Sequence, residues 1–116
     1  DFTVLDRSRG EWGEPADDVS AMTINYIFYS LQAFGKMEAP FERLFLLFWR
    51  NYLDRTADEE ILYTIQPFYA WRSLVLASPL WYPNLPTDVR WKVLDFAIRV
   101  LRAKEFNIDD VDSYFK

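Results

Sequence analysis

Residues 4–19 read VLDRSRGEWGEPADDV, with five acids, two glycines and one proline between an apolar run and a stretch of helical periodicity. How this stretch divides decides the fold. Residues 2–6, FTVLD, are rich in β-branched and aromatic side chains and predict one short strand. Gly10, Gly13 and Pro15 mark a loop from Arg7 to Pro15. Asp17 or Asp18 then opens a helix, because an acid there accepts from free backbone amides and faces the positive end of the helix dipole. A lone strand cannot satisfy its own hydrogen bonds, so its partners are expected upstream or in another molecule. The fold class expected is mainly α, with one short N-terminal strand.

Further along, the apolar residues of 19–34 fall on two faces, Met22, Tyr26, Tyr29 and Phe34 on one and Ile24, Ile27, Phe28 and Leu31 on the other. That helix is expected to be buried on more than one side and to end at Gly35. A second helix is expected from Pro40 to Asp54 on Leu44, Leu47, Phe48 and Leu53. Thr56 and Glu59 have capping-box spacing and predict a third helix beginning there, which Pro67 should kink or break. The run SPLWYPNLPTD is a proline-punctuated loop. A fourth helix should run from Thr87 to Lys104 on Val89, Val93, Phe96, Ala97, Val100 and Leu101, and residues 107–115 should form a capped helical turn. No repeat or low-complexity tract interrupts this.

The 116 residues suffice for one domain with a core of its own. The aromatic fraction of 19% predicts a ring-rich core or a surface that packs on something else. A net charge of −5, with the basic residues scattered, argues against a nucleic-acid partner. No apolar run is long enough to span a bilayer, RLFLLFW being the most apolar. The chain has neither cysteine nor histidine. That excludes disulfides, thiolate sites, the Ser–His nucleophile pair and most zinc sites. Carboxylates remain, alone or holding a hard ion such as magnesium. The pairs Asp17–Asp18 and Asp109–Asp110 fall at helix starts, where acids are expected without any acid–base role, and the spacing of a calcium loop is absent. The absence of cysteine fits a cytoplasmic location.

An apolar strand ending in Leu5-Asp6, a short loop, then Gly13-Glu14-Pro15 and Asp18 opening a helix resembles the aminoglycoside phosphotransferase family of the protein-kinase-like fold. The resemblance is specific over residues 4–19 and architectural over the remainder. It implies that the chain is a segment of the helical carboxy-terminal lobe of a kinase-like α+β fold. The whole of 1–116 would be one partial domain, with 1–16 as strand and metal-loop segment and 17–116 as helical subdomain. It implies that Asp6, the counterpart of the kinase Asp-Phe-Gly aspartate, holds a Mg²⁺ bridging the phosphates of ATP. Gly13 and Pro15 would shape the turn, and Asp18 would hold the backbone of the catalytic loop. Glu14 departs from the family, which has Asp there, and Arg7 and Arg9 are more basic than its usual pattern; they read best as charges balancing nearby acids. The Gly-rich phosphate loop, the strand lysine and the catalytic Asp with its Asn are not in this sequence, and are expected in a missing N-terminal part.

The resemblance also places the acceptor pocket on the helices that follow. Asn25, Trp71, Arg72, Trp81 and Tyr82 are the candidate substrate-binding residues, rings with one cation suiting a ringed or anionic small molecule. Against this stands a plainer reading, a ring-rich core with Arg72 balanced by an internal acid. The function expected is that of a fragment of an ATP-dependent kinase acting on a small-molecule hydroxyl, inactive alone. The alternative is a free-standing helical module that docks a protein through its aromatic faces. Either form is expected to homodimerise through exposed apolar surface.

Overall fold

The computed structural model describes residues 14–115. The strand expected at 2–6, with Asp6 and Gly13, lies outside them. Four α-helices make up the described fold: α1 Pro15–Phe34, α2 Phe41–Thr56, α3 Gln66–Ala77 and α4 Thr87–Arg102. Two 3₁₀ segments, Glu59–Tyr63 and Ile108–Phe115, lie before α3 and after α4. The mainly α expectation holds, and no strand occurs among the described residues.

Helix α1 begins where proline is best tolerated, with Pro15 in the first turn and Glu14 as N-cap, its carboxylate accepting from the Ala16 amide at 3.4 Å. It ends at Gly35, whose φ of 73° is free for glycine, with the Gly35 amide on the Leu31 carbonyl. Its core face is Val19, Ile24, Ile27, Phe28 and Leu31 together with Thr23 and Ser30, so one of the two expected faces is buried. The other is not: Met22, Tyr29 and Phe34 are exposed. Small polar residues complete the buried stripe because each has a partner, Ser30 Oγ donating to the Lys36 carbonyl and Thr23 Oγ1 to that of Val19.

In α2 the expected stripe is also displaced. Leu44 and Leu47 face solvent, Phe48 and Leu53 are half-buried, and Phe45 and Trp49 occupy the core. On a helical wheel Phe41, Phe45, Phe48, Trp49, Tyr52 and Leu53 share the face opposite Arg43, Arg50, Asn51 and Asp54, and Leu44 and Leu47 fall toward the polar side, so the expected stripe takes in the wrong leucines. The capping box at Thr56 does not form. Helix α2 continues through Thr56, whose hydroxyl donates to the Tyr52 carbonyl, and stops at Ala57 in the left-handed region at φ 55°. Pro67 lies in the first turn of α3, not in a helix interior, so the break precedes it. Helix α4 buries Val89, Val93, Phe96, Ala97 and Val100 as expected, whereas Leu101 faces out.

Helices α3 and α4 form an antiparallel hairpin, and α1 packs across α2, α3 and α4. The centre of the core is Phe106, in the irregular link after α4. Its ring contacts Tyr69 at 4.8 Å, Tyr114 at 5.5 Å, Trp49 at 6.0 Å, and Phe45 and Phe96 at 6.4 Å. Its amide donates to the Leu62 carbonyl at 2.7 Å, and Gln66 Nε2 ties the same link down through the carbonyls of Ala103 and Lys104. One ring thus joins α2, α3, α4 and the C-terminal 3₁₀ segment.

Phe106→Ala should cost about 3–5 kcal/mol, a large share of a domain's roughly 5–15 kcal/mol, and in a urea titration should move the midpoint far down or leave no folded baseline. The exposed control Phe34→Ala should stay within about 0.5 kcal/mol of the parent. Ala57→Gly should raise stability by about 0.5–1 kcal/mol, since glycine enters the left-handed region without its Cβ meeting the following carbonyl.

Candidate functional site

The stretch that resembles a metal loop leads straight into the first turn of α1, and that turn is fixed from two sides. Glu14 caps it, and Asp17 and Asp18 stand in it facing the dipole. Asp17 also accepts from Arg72 Nη2 of α3 at 2.8 Å, in a pair whose side chains keep only 30% and 16% of their exposure. This is a charge-assisted bond in a largely dry seam, stronger than a surface pair. Arg72 Nε is buried there and has no acceptor among the described residues. The plainer reading of Arg72, a cation balanced by an internal acid, describes this geometry. Its sequence neighbourhood gave no sign of the partner, because Asp17 is 55 residues away.

The five expected pocket residues have different surroundings among the described residues. Asn25 is exposed, and its amide donates to the carbonyl of Ala21, one turn back on its own helix. Tyr82 packs edge-on against Phe28 at 5.3 Å. Trp71 and Trp81 are exposed by 62% and 67%, with no ring contact to another described residue. The seam lined by Ile24, Ile27, Phe28, Ser73, Leu76, Val93, Phe96 and Phe115 is apolar but for Ser73, whose hydroxyl donates to the Tyr69 carbonyl, and is too tight for a water molecule. Among the described residues no three acids stand close enough together to hold a metal ion.

The polar centre of the core is a chain that the sequence did not reveal. Trp49 Nε1 donates to Tyr69 Oη at 3.2 Å, and Tyr69 Oη lies 2.5 Å from Thr23 Oγ1. Because Thr23 gives its own proton to the Val19 carbonyl at 2.7 Å, the phenol is the donor to Thr23. Every polar atom of this run is satisfied, and it crosses α2, α3 and α1. Burial raises the Tyr69 phenol well above the ordinary tyrosine range, only partly opposed by the bonds to Thr23 and Trp49. Burial likewise pushes Tyr52 up to about 12, helped by the hydrogen bond to Asp58 at 2.8 Å and by that carboxylate's charge. Both phenols are committed to these internal hydrogen bonds.

Compared with known proteins, the chain matches no protein-family model, no curated protein and no solved structure. No helix among the described residues is long and apolar enough to cross a membrane.

Both phenols have a folded pKa above the unfolded value of 10.0. Their contribution is whole below pH 10 and is lost as pH rises through the folded values, because the unfolded chain ionises first. Stability measured by denaturant should fall between pH 10 and about 12, and Tyr52→Phe should flatten that fall. A slope that the substitution leaves unchanged would exclude Tyr52 as one of its sources.

Proposed function

We propose that the chain is the helical part of an ATP-dependent phosphotransferase acting on a small-molecule hydroxyl, similar to the aminoglycoside phosphotransferases and cytoplasmic. The observation that supports this best is the corner at Glu14–Pro15. Helix α1 opens at the proline with Asp18 in its first turn, which is the local structure that the Gly-x-Pro-x-x-Asp pattern implies. The ion pair from Asp17 to Arg72 makes that corner rigid with the helical body. A segment bearing a metal ligand just upstream would thus be held by a fixed platform.

In this reading Asp6 holds Mg²⁺, and a carboxylate is the donor type that such a hard ion takes. The ion, when bound, neutralises the nucleotide phosphates. The contribution of this chain's own residues is positional. Asp18 and Pro15 fix the direction in which the loop leaves the helix, and Arg72 holds Asp17 so that the first turn cannot fray. Acceptor binding would fall to the exposed rings Trp71 and Trp81 together with groups of the missing N-terminal part.

A second reading, the helical interaction module, is favoured by a different observation: Trp71, Leu74, Leu80, Trp81 and Trp91 are all more than half exposed. Isolated exposed apolar residues are ordinary, but a concentration of this kind on one hairpin and its loop marks a binding face.

The deciding experiment uses the product of the whole coding sequence that contains this chain. It should hydrolyse or transfer the γ-phosphoryl of ATP in the presence of Mg²⁺ and a panel of hydroxyl-bearing small molecules. Asp6→Asn should lower kcat on the order of a hundredfold or more, with the helical fold unchanged by circular dichroism. A start codon directly before Asp1, or an Asp6→Asn variant as active as the parent, would overturn the reading.

A further inference from the structure

Helix α4 carries a second apolar stripe that the fold leaves uncovered. Trp91, Leu94, Ile98 and Leu101 follow one another at spacings of three, four and three, the a/d repeat of a helix seam. The stripe lies opposite the buried one of Val89, Val93, Phe96 and Val100. Trp91, Ile98 and Leu101 are exposed by 62%, 49% and 55%, and Leu94 is half-buried at the edge of the core. Helix α3 adds to the same face. The Phe106–Leu62 amide bond and the bond from Arg90 to the Ala77 carbonyl set the hairpin register. In that register Leu74 is level with Leu94 and Trp71 with Ile98, and both α3 side chains are exposed.

We propose that this face binds a second copy of the chain, with α4 antiparallel to α4 of the partner about a two-fold axis between Leu94 and Ile98. The stripe is self-complementary in that arrangement: Trp91 meets Leu101 of the other copy and Leu94 meets Ile98, each pair occurring twice. The charges along its solvent edge agree. Asp88 stands at the N-terminal end and Arg102 at the C-terminal end, so the antiparallel pairing sets each Asp88 against the opposite Arg102. Like charges approach at Asp95, beside its own copy at the axis, and further out at Lys92 against Arg99 of the other copy, which are drawn to the carbonyls of Gly35 and Ser113. On the inner edge Arg90 is drawn back onto the carbonyls of Ala77, Tyr82 and Leu85. This inference does not depend on the phosphotransferase reading, and it leaves acceptor binding to Trp81, since Trp71 joins the dimer face.

Sedimentation velocity on residues 1–116 tests it. The parent should show a reversible dimer whose share rises with concentration, and Ile98→Glu should weaken it by at least about tenfold with the unfolding midpoint little changed. Arg102→Asp should weaken it several-fold, and adding Asp88→Arg should restore it. Both charge changes oppose the dipole of α4, so a purely structural effect would worsen in the double variant instead of reverting. A parent that stays monomeric up to about 1 mM, or a dimer indifferent to both Ile98→Glu and the charge exchange, would overturn the proposal and leave the face to another protein or to a further part of the parent chain.

Discussion

The structure depends first on the ring of Phe106. Helices α2, α3 and α4 have no long apolar ladder in common, and each turns a few rings toward one point. Phe106 fills that point from an irregular link, stacked on Tyr114 with an interplanar angle of 8° and tilted against Tyr69. Its place is fixed by backbone as well as by packing, since its amide bonds to Leu62 and Gln66 holds the two carbonyls before it. Dispersion among closely packed rings is short-ranged, so the link must be held to a fraction of an ångström for the contacts to count. The backbone bonds supply that constraint. The C-terminal 3₁₀ segment is tied to it, because Tyr114 stacks on Phe106 and Phe115 on Phe96, while the Tyr114 hydroxyl accepts from the Asn107 amide at 3.0 Å.

Hydrophobic contact alone would let such a core slide, and two polar features prevent it. The chain from Trp49 through Tyr69 and Thr23 to the Val19 carbonyl is satisfied at each step only when α1, α2 and α3 have one relative height. A shift of one residue along any of the three would strand a buried donor or acceptor, at a cost of about 1–3 kcal/mol each. The pair of Arg72 and Asp17 sets the same height from the rim. Agreement between two independent polar contacts is what gives this helical body a single arrangement, and it reaches the Glu14–Pro15 corner, the part with functional promise.

Much of this was legible in the sequence where one cause acted alone. Gly35 as the end of α1 followed from backbone freedom, and the inner stripe of α4 from spacing among clear polar gaps. The mainly helical class followed from the same periodicity. Legibility failed where apolar residues outnumber the positions that the core takes. In α1, Met22 and Tyr29 read as core as well as Ile24 did, and only the positions of other helices decide between them; in α2, Leu44 and Leu47 fall toward the polar side of the wheel. It failed at Thr56 because a capping box needs the chain to leave a helix just before it, and α2 had not ended. Phe106 was missed because it lies between two expected elements, where no period marks it. At the candidate site, the helix was expected to open at Asp17 or Asp18, whereas Glu14 caps it, Pro15 begins it and both acids lie inside its first turn; the bond from Arg72 to Asp17 joins residues that no local pattern connects.

The same excess of rings that blurred the sequence has a physical meaning on the surface. A helix with one apolar stripe is satisfied by one layer of neighbours, and α1 and α3 already cover the inner side of α4. A second stripe on the opposite side adds nothing to this core. Left in water it favours association of some kind, and it raises the chance of aggregation from partly folded states. Polar residues there would have served a solitary domain better: α4 would lose none of its inner contacts, and its outward positions tolerate any good helix former. The outward apolar stripe is therefore surface that the core of the described residues does not use.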